Sequence, residues 1–242
     1  MPKTAMILAA GLGTRMRPIT DTLPKPLVTV AGRSLIDHAI DNLVAAGVKR
    51  TVVNVHYRGA QLREHLQTVD RIEIEISDET DRLLDSGGGI VKALPLLGAD
   101  PFAIVNADTF WLESPGGDVS SLRAMADAWD GNRMDMLLMT ARLDQCTGYD
   151  GKGDFLVDAD GRLRRHDRVS ADPVVYPGAA IIHPRIFEDA PNEPFSLNWC
   201  FDRAIASDRL FGFAMSGHIL TIGTPEAIGE AETVMARFGA NP

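Results

Sequence analysis

Cysteine is nearly absent from this sequence: only Cys146 and Cys200 occur, in no metal-ligand spacing. That excludes a disulfide framework and a zinc knuckle, and both residues read as free thiols. Net positive charge is missing as well. A formal charge of −9 leaves no general basic footprint for nucleic acid, so any phosphate binding must be local. No apolar run approaches membrane-spanning length. The N-terminus enters the apolar run Ala5-Met6-Ile7-Leu8 without a basic region or cleavage pattern. No signal peptide is therefore expected, and the expected location is the cytoplasm. What the chain does have is a 45% hydrophobic content over 242 residues, enough for the core of one large α/β domain.

The rest of the chain is organised around Ala9-Ala10-Gly11-Leu12-Gly13-Thr14-Arg15-Met16-Arg17-Pro18, which continues to Pro24-Lys25-Pro26-Leu27. It follows a short buried strand. Gly11 and Gly13 allow a sharp turn that brings bare N–H groups to an anion, and Thr14 adds a hydroxyl donor. Arg15 and Lys25 supply cations, and Pro24 and Pro26 are expected to hold the backbone around Lys25 extended. Such a loop suits a polyphosphate. A dinucleotide fingerprint needs a third glycine where Met16 stands, and the second strand, Val52-Val53-Asn54-Val55-His56, ends without the expected acid. A phosphate-binding Gly-Lys-Ser/Thr triplet occurs nowhere.

Periodicity predicts a strand–helix–strand–helix order with short links, hence a mostly parallel sheet with right-handed crossovers. Ser34 is a candidate N-cap for a helix ending at Gly47, Thr51–Val55 a buried strand, and Ile72–Ile76 a half-exposed one. Gly87-Gly88-Gly89 is expected to open the next helix and to let a ligand approach its N-terminus. Phe102–Val105 is a central strand ending at Asn106-Ala107-Asp108, where open α/β sheets bind ligands. A carboxylate at Asp108, near a phosphate loop, is a natural Mg2+ ligand. Residues 117–129 read as a surface helix. From Cys146 onward the texture becomes glycine-rich, with a hairpin turning at Asp158-Ala159-Asp160-Gly161, a buried strand over residues 174–182, and a last helix capped by Thr224.

Joined at this spacing, Gly11-Leu12-Gly13-Thr14-Arg15-Met16-x-Pro18 and Pro24-Lys25-Pro26-Leu27 resemble the signature of the nucleoside-diphosphate-sugar pyrophosphorylase family. The resemblance extends along the chain through Leu84–Gly89, Asn106–Asp108 and Gly223–Glu226. It implies a single domain over residues 1–242: a Rossmann-like three-layer α/β/α fold with a mixed, mostly parallel central sheet and a small β insertion. The nucleotide-binding half would cover about residues 1–110 and the sugar-binding half about 111–242. The implied reaction joins a nucleoside triphosphate to a sugar 1-phosphate and releases pyrophosphate. The triple glycine, the following Lys92–Gly98 and Gly153-Asp154-Phe155 look most like the branch acting on UTP and N-acetylmuramic acid 1-phosphate in cell-wall recycling. GTP with mannose 1-phosphate, or dTTP with glucose 1-phosphate, are alternatives. A catalytically silent nucleotide-sugar-binding regulator is a different class of alternative.

By resemblance, Arg15, Lys25 and Asp108 are catalytic. Ala9, Ala10, Gly11, Gly13, Thr14, Arg15, Glu79, Ser86, Gly87, Gly88 and Asn106 would hold the nucleotide. Asp108, Gly153, Asp154 and Gly178 would hold the sugar. Mg2+ is the implied cofactor at Asp108. Many relatives carry a second aspartate where this chain has Thr221, so the second ligand is open between Thr221 and Asp202. A monomer or small homo-oligomer, with no nucleic-acid or membrane partner, is expected.

Overall fold

The computed structural model describes residues 2–117 and 119–239. Successive residues of the central strands point to opposite faces of one sheet, and both faces are buried, which is why these strands read as unbroken apolar runs. The chain enters on β1 (Thr4–Leu8) and passes through the motif loop. It then makes a two-strand hairpin, β2 (Thr29–Val30) and β3 (Arg33–Ser34), before α1 (Leu35–Ala45). Ser34 caps α1 by accepting a hydrogen bond from the Asp37 N–H. β4 (Arg50–Val55), α2 (Gly59–Leu66), β5 (Glu73–Asp78), α3 (Asp85–Leu97) and β6 (Phe102–Asn106) follow as alternating strands and helices. The second half contributes β7 (Thr109–Leu112), α4 (Ser121–Asp127), β8 (Met136–Arg142), β9 (Cys146–Thr147), β10 (Phe155–Val157), β11 (Leu163–Arg165), β12 (Val174–Val175), β13 (Ala179–Ile182), α5 (Asn198–Ala206), β14 (Leu210–Ala214), β15 (His218–Thr221) and α6 (Glu226–Arg237).

Ten of these strands form one sheet in the order β11-β10-β12-β8-β13-β6-β1-β4-β5, with β14 paired to β8. β1, β4, β5 and β6 are parallel, and β8, β10 and β14 share their direction. β13, β12 and β11 run against it. The sheet is therefore mixed and mostly parallel. Ile7, Val53, Val105 and Leu137 pack beneath α1, α2 and α4, while Met6, Val52, Ile104 and Leu138 pack beneath α3 and α5. This is the three-layer α/β/α arrangement expected from the sequence.

A smaller core joins Met16, Val28, Leu35, Phe110, Leu220, Ile222 and α6 residues Ala231 and Met235. It fastens the motif loop to the three-stranded sheet β7-β15-β9. Met16 is fully buried there. The position that fails the dinucleotide fingerprint is thus the apolar anchor of the loop.

Several boundaries differ from the sequence reading. α3 begins at Asp85, so its glycines lie inside the first turns rather than ahead of them. α4 begins at Ser121, because the Ser120 hydroxyl caps it and Gly116-Gly117 cannot extend it backward. Of the helix read over 117–129, Asp118 lies outside the described residues. The buried run over 174–182 is broken at Pro177-Gly178, since proline lacks the N–H a continuous ladder would need. α6 starts at Glu226 with Pro225, not Thr224, at its cap. No helix among the described residues is long and apolar enough to cross a membrane.

Candidate active site

The site lies at the carboxyl ends of β1, β4 and β6, where an open α/β sheet leaves a crevice. β1 delivers Ala9 and Ala10, and β6 delivers Asn106 and Asp108. The motif loop folds across them. Gly13 adopts φ +65°, and a Cβ there would meet Lys25 Cβ at 3.0 Å and Thr20 Cγ2 at 3.1 Å. The glycine is required by both its left-handed backbone and the close approach of the lysine segment. Gly11 serves differently. Its backbone is ordinary and open space lies around the missing Cβ, so it leaves room in the cavity rather than making the turn.

Pro24 is extended as expected, but Lys25–Leu27 then form one 3-10 turn, closed by Leu27 N–H to Pro24 O (2.9 Å) and Val28 N–H to Lys25 O (3.0 Å). The expectation of an extended backbone around Lys25 is corrected here. Pro26 sits in the first turn of a helix, where its absent N–H is not missed. That turn aims Lys25 across the crevice, and its Nζ donates to Asp108 Oδ2 at 2.5 Å. Both side chains are partly buried. In the free protein the two catalytic candidates therefore neutralise each other.

A cavity of about 470 Å³ is lined by Ala9, Ala10, Gly11, Lys25, Asn54, Glu79, Asp85, Ser86, Asn106 and Asp108, among others. A second cavity, of about 300 Å³, shares Leu8, Ser86 and Asn106 with it. This one adds Tyr149, Asp154, Phe155, Arg165, Tyr176, Asn198 and Phe201. The Asp154 carboxylate accepts from Tyr149 O–H (3.0 Å) and from the Tyr176 N–H (2.9 Å). Burial, with Asp154 adding to it, pushes the Tyr149 phenol up to about 12, so it stays a donor.

Other sequence-selected residues fall outside these linings. Thr14 and Arg15 are exposed, and the Arg15 guanidinium lies against Gly223. Gly87 and Gly88 are buried, and both of their N–H groups donate to the Phe195 carbonyl (2.9 and 3.2 Å). These two amides are thus taken up within the protein, and the glycines let the Phe195 segment close on α3. Ser86 does line both cavities, and its hydroxyl accepts from the Leu197 N–H at 2.9 Å. Glu79 is fully buried, with its oxygens taken by the Asn54 amide (2.7 Å) and the Leu84 N–H (3.2 Å). A buried carboxylate needs such donors, and in this structure it braces the cavity wall.

Gly178, at φ +89°, packs on Asn106, whose N–H donates to the Gly178 carbonyl at 2.9 Å. Gly153, also at positive φ, packs on Pro173. Thr221 stands opposite Thr109 in the β15–β7 ladder, and the next N–H, of Ile222, donates to Asp108 O at 2.9 Å. Asp202 is committed to Arg165, with Nη2 2.8 Å from its Oδ1, and lines neither cavity.

Sequence reasoning missed Asn54, whose Oδ1 accepts from the Ala9 N–H at 2.6 Å and so ties the loop start to Glu79. An asparagine inside the apolar β4 run was the available signal. Tyr149, Arg165, Tyr176, Asn198 and Phe201 were missed because four separate stretches of chain bring them together.

Similarity to known proteins coincides with this geometry. The profile of the family described as Nucleotidyl transferase matches residues 4–129, more than half of the chain. The chain belongs to the nucleotidyl transferase family. Over 239 residues it is 45% identical to an N-acetylmuramate alpha-1-phosphate uridylyltransferase of Caulobacter vibrioides, covering 97% of this chain and 98% of that protein. Its fold is shared with the inositol-1-phosphate CTP transferase of T. maritima (TM-score 0.78, 19% identity, 98% of this chain and 96% of that one). It is shared equally with a UDP-glucose pyrophosphorylase of Acinetobacter baumanii (TM-score 0.77, 19% identity, 97% and 93%). The residues matched by the family profile include the phosphate loop, the Lys25–Asp108 pair and the Asn54–Glu79 brace.

Among the described residues no cluster of three or more His, Cys, Asp or Glu could hold a metal ion. Asp108 presents a carboxylate beside Lys25 in the cavity that the motif loop borders. That donor set suits Mg2+, which commonly takes one or two protein carboxylates and fills its octahedron with substrate phosphates and water.

Proposed function

We propose that this nucleotidyl transferase joins UTP to N-acetylmuramic acid 1-phosphate, giving UDP-N-acetylmuramic acid and pyrophosphate. The observation that carries the reading is the near-full-length identity to the Caulobacter uridylyltransferase. Two adjoining cavities support it, one beside the phosphate loop and one lined by sugar-sized polar groups, meeting at Ser86 and Asn106. In this reading residues 1–110 bind the nucleotide and residues 111–242 bind the sugar.

The sugar phosphate oxygen attacks the α-phosphorus and pyrophosphate leaves in line. The nucleophile is anionic at neutral pH, so no side chain has to remove a proton. Catalysis is then positioning and charge neutralisation. Lys25 exchanges its Asp108 partner for the α-phosphate. The loop N–H groups from Gly11 to Thr14, with Arg15 at the Gly223 edge, hold the β- and γ-phosphates. Asp108 is the residue that would hold Mg2+, which when bound supplies positive charge to the phosphate oxygens. Thr221 contributes at most a neutral hydroxyl beside it. The reaction uses cytoplasmic UTP, in the reuse of cell-wall sugars, by a monomer or small homo-oligomer.

The test is pyrophosphate release from a matrix of four nucleoside triphosphates and several sugar 1-phosphates, with products identified by mass. The expected preference is UTP with N-acetylmuramic acid 1-phosphate. A preference for GTP with mannose 1-phosphate would overturn it.

A further inference from the structure

The second cavity contains one cation among its lining residues, Arg165. It arrives on β11, directly opposite Phe155 of β10 in the hairpin whose turn is fixed by Asp158. Asp202 pairs with this guanidinium from outside the cavity, and a neutral hexose would bring it no second anion. N-acetylmuramic acid differs from N-acetylglucosamine by a lactic acid joined as an ether to O3, which adds a carboxylate at the edge of the sugar ring. We propose that Arg165 binds that carboxylate and selects the lactyl sugar over its carboxylate-free parent. The inference rests on the substrate reading above and deepens it.

The guanidinium is held before any ligand arrives. Its Cζ lies 5.1 Å from the Phe155 ring centre and 5.5 Å from that of Phe201. Nε donates to Asp202 Oδ1 at 2.9 Å, Nη2 lies 2.8 Å from the same oxygen as an ion pair, and Nη2 donates to the Asn198 carbonyl at 3.3 Å. Nη1 has no hydrogen-bond partner among the described residues. One edge of the fork is thus spent on fixing the plane and the other is available, an arrangement arginine allows and lysine does not. Asp202 acts as a positioning residue in this arrangement.

The Tyr176 hydroxyl is sealed from solvent and, among the described residues, has no hydrogen-bond partner. Tyr176 lines the cavity, and its ring is held edge-on by Phe201. The 1-phosphate itself must reach the Lys25–Asp108 pair in the first cavity, which Arg165 does not line. The anion assigned to Arg165 is therefore a different one.

The experiment is steady-state kinetics with UTP, comparing N-acetylmuramic acid 1-phosphate, its carboxamide and N-acetylglucosamine 1-phosphate, on wild type, Arg165→Met and Arg165→Lys. Losing one charge-assisted contact should raise KM for the lactyl substrate roughly 10- to 100-fold in Arg165→Met, with kcat little changed. The kcat/KM preference for the lactyl sugar should collapse by a similar factor. Arg165→Lys should retain part of the preference. Wild type should discriminate against the carboxamide without any substitution, which tests the idea even if Arg165→Met fails to fold. Equal losses on both sugars, an unchanged preference, or equal use of acid and carboxamide would overturn the role of Arg165. Wild type that ignores N-acetylmuramic acid 1-phosphate but turns over another sugar would overturn the substrate reading itself.

Discussion

Lys25 and Asp108 stand 83 positions apart in the chain and 2.5 Å apart in space. Each was legible alone, the lysine from its flanking prolines and the aspartate from the end of an apolar strand. Their pairing was not, because it depends on the 3-10 turn that swings Lys25 over β6. Lys25→Ala should lower kcat roughly 10²- to 10³-fold, the usual cost of one preorganised charge donor, with a smaller effect on the KM for UTP. Steady-state rates at saturating sugar phosphate check this. Thr221 belongs to the same scale. It sits in the ladder position next to Asp108, so Thr221→Asp should tighten Mg2+ binding to the nucleotide-free protein by adding a full charge at close range. Calorimetric titration of Mg2+ into both proteins reads the difference. Tight binding by the wild type itself would mean that Thr221 is not what limits the metal site.

At the scale of elements, α3 is the informative case. Its three glycines read as an open helix N-terminus because glycine clusters commonly mark close ligand approach. In the structure Gly87 and Gly88 admit residues 194 and 195, and Gly89 admits the Glu79–Asn54 pair. A Cβ on Gly87 would lie 2.4 Å from the Phe195 ring. Gly87→Ala should therefore destabilise the protein by about 1–3 kcal/mol through overpacking, despite alanine's better helix propensity. It should also raise the KM for both substrates, since Ser86 lines both cavities. Denaturant unfolding and kinetics on the same preparation test the two halves of this expectation. The sequence carried the existence of the helix. It did not carry the partner, because nothing local distinguishes a glycine that admits a nucleotide from one that admits a phenylalanine.

At the scale of the molecule, the β8–β14–β13 end of the sheet is clipped by Asp135. Its Oδ1 accepts from Arg185 Nε at 2.5 Å and Arg209 Nε at 2.8 Å, and both arginines reach on to carbonyls of residues 131–134. Burial pushes the Asp135 carboxyl up, but the hydrogen bonds from Arg209 and Arg185 outweigh it and hold the group below its ordinary 3.8. A carboxyl with a lowered folded-state pKa stabilises fully above 3.8, and that contribution is lost as pH falls through the lower folded value. Asp135→Asn should cost about 2–3 kcal/mol at pH 7, less than a fully buried pair because the arginines are about one-third exposed. The difference from wild type should narrow as pH drops below 3.8. Urea unfolding at pH 7 and at pH 3 measures both values.

Fold class and sheet character were determined by the sequence alone, because each rests on local chemistry: apolar runs at strand period and amphipathic runs at helical period. The family resemblance carried by residues 11–27 rests on a contiguous motif. Three features were decided only by the tertiary structure. Met16 became a core anchor, since its partners Phe110, Leu220 and Met235 are distant in sequence. Glu79 became a brace rather than an open contact, since Asn54 and Leu84 close on it from two other segments. The second cavity took its polar lining from α3, β6, β11, α5 and the loops carrying Tyr149, Asp154 and Tyr176, with the single cation among its lining placed by a hairpin register and a helix carboxylate. Long-range packing chooses among the ends that a local pattern permits, and no periodicity within one segment encodes that choice.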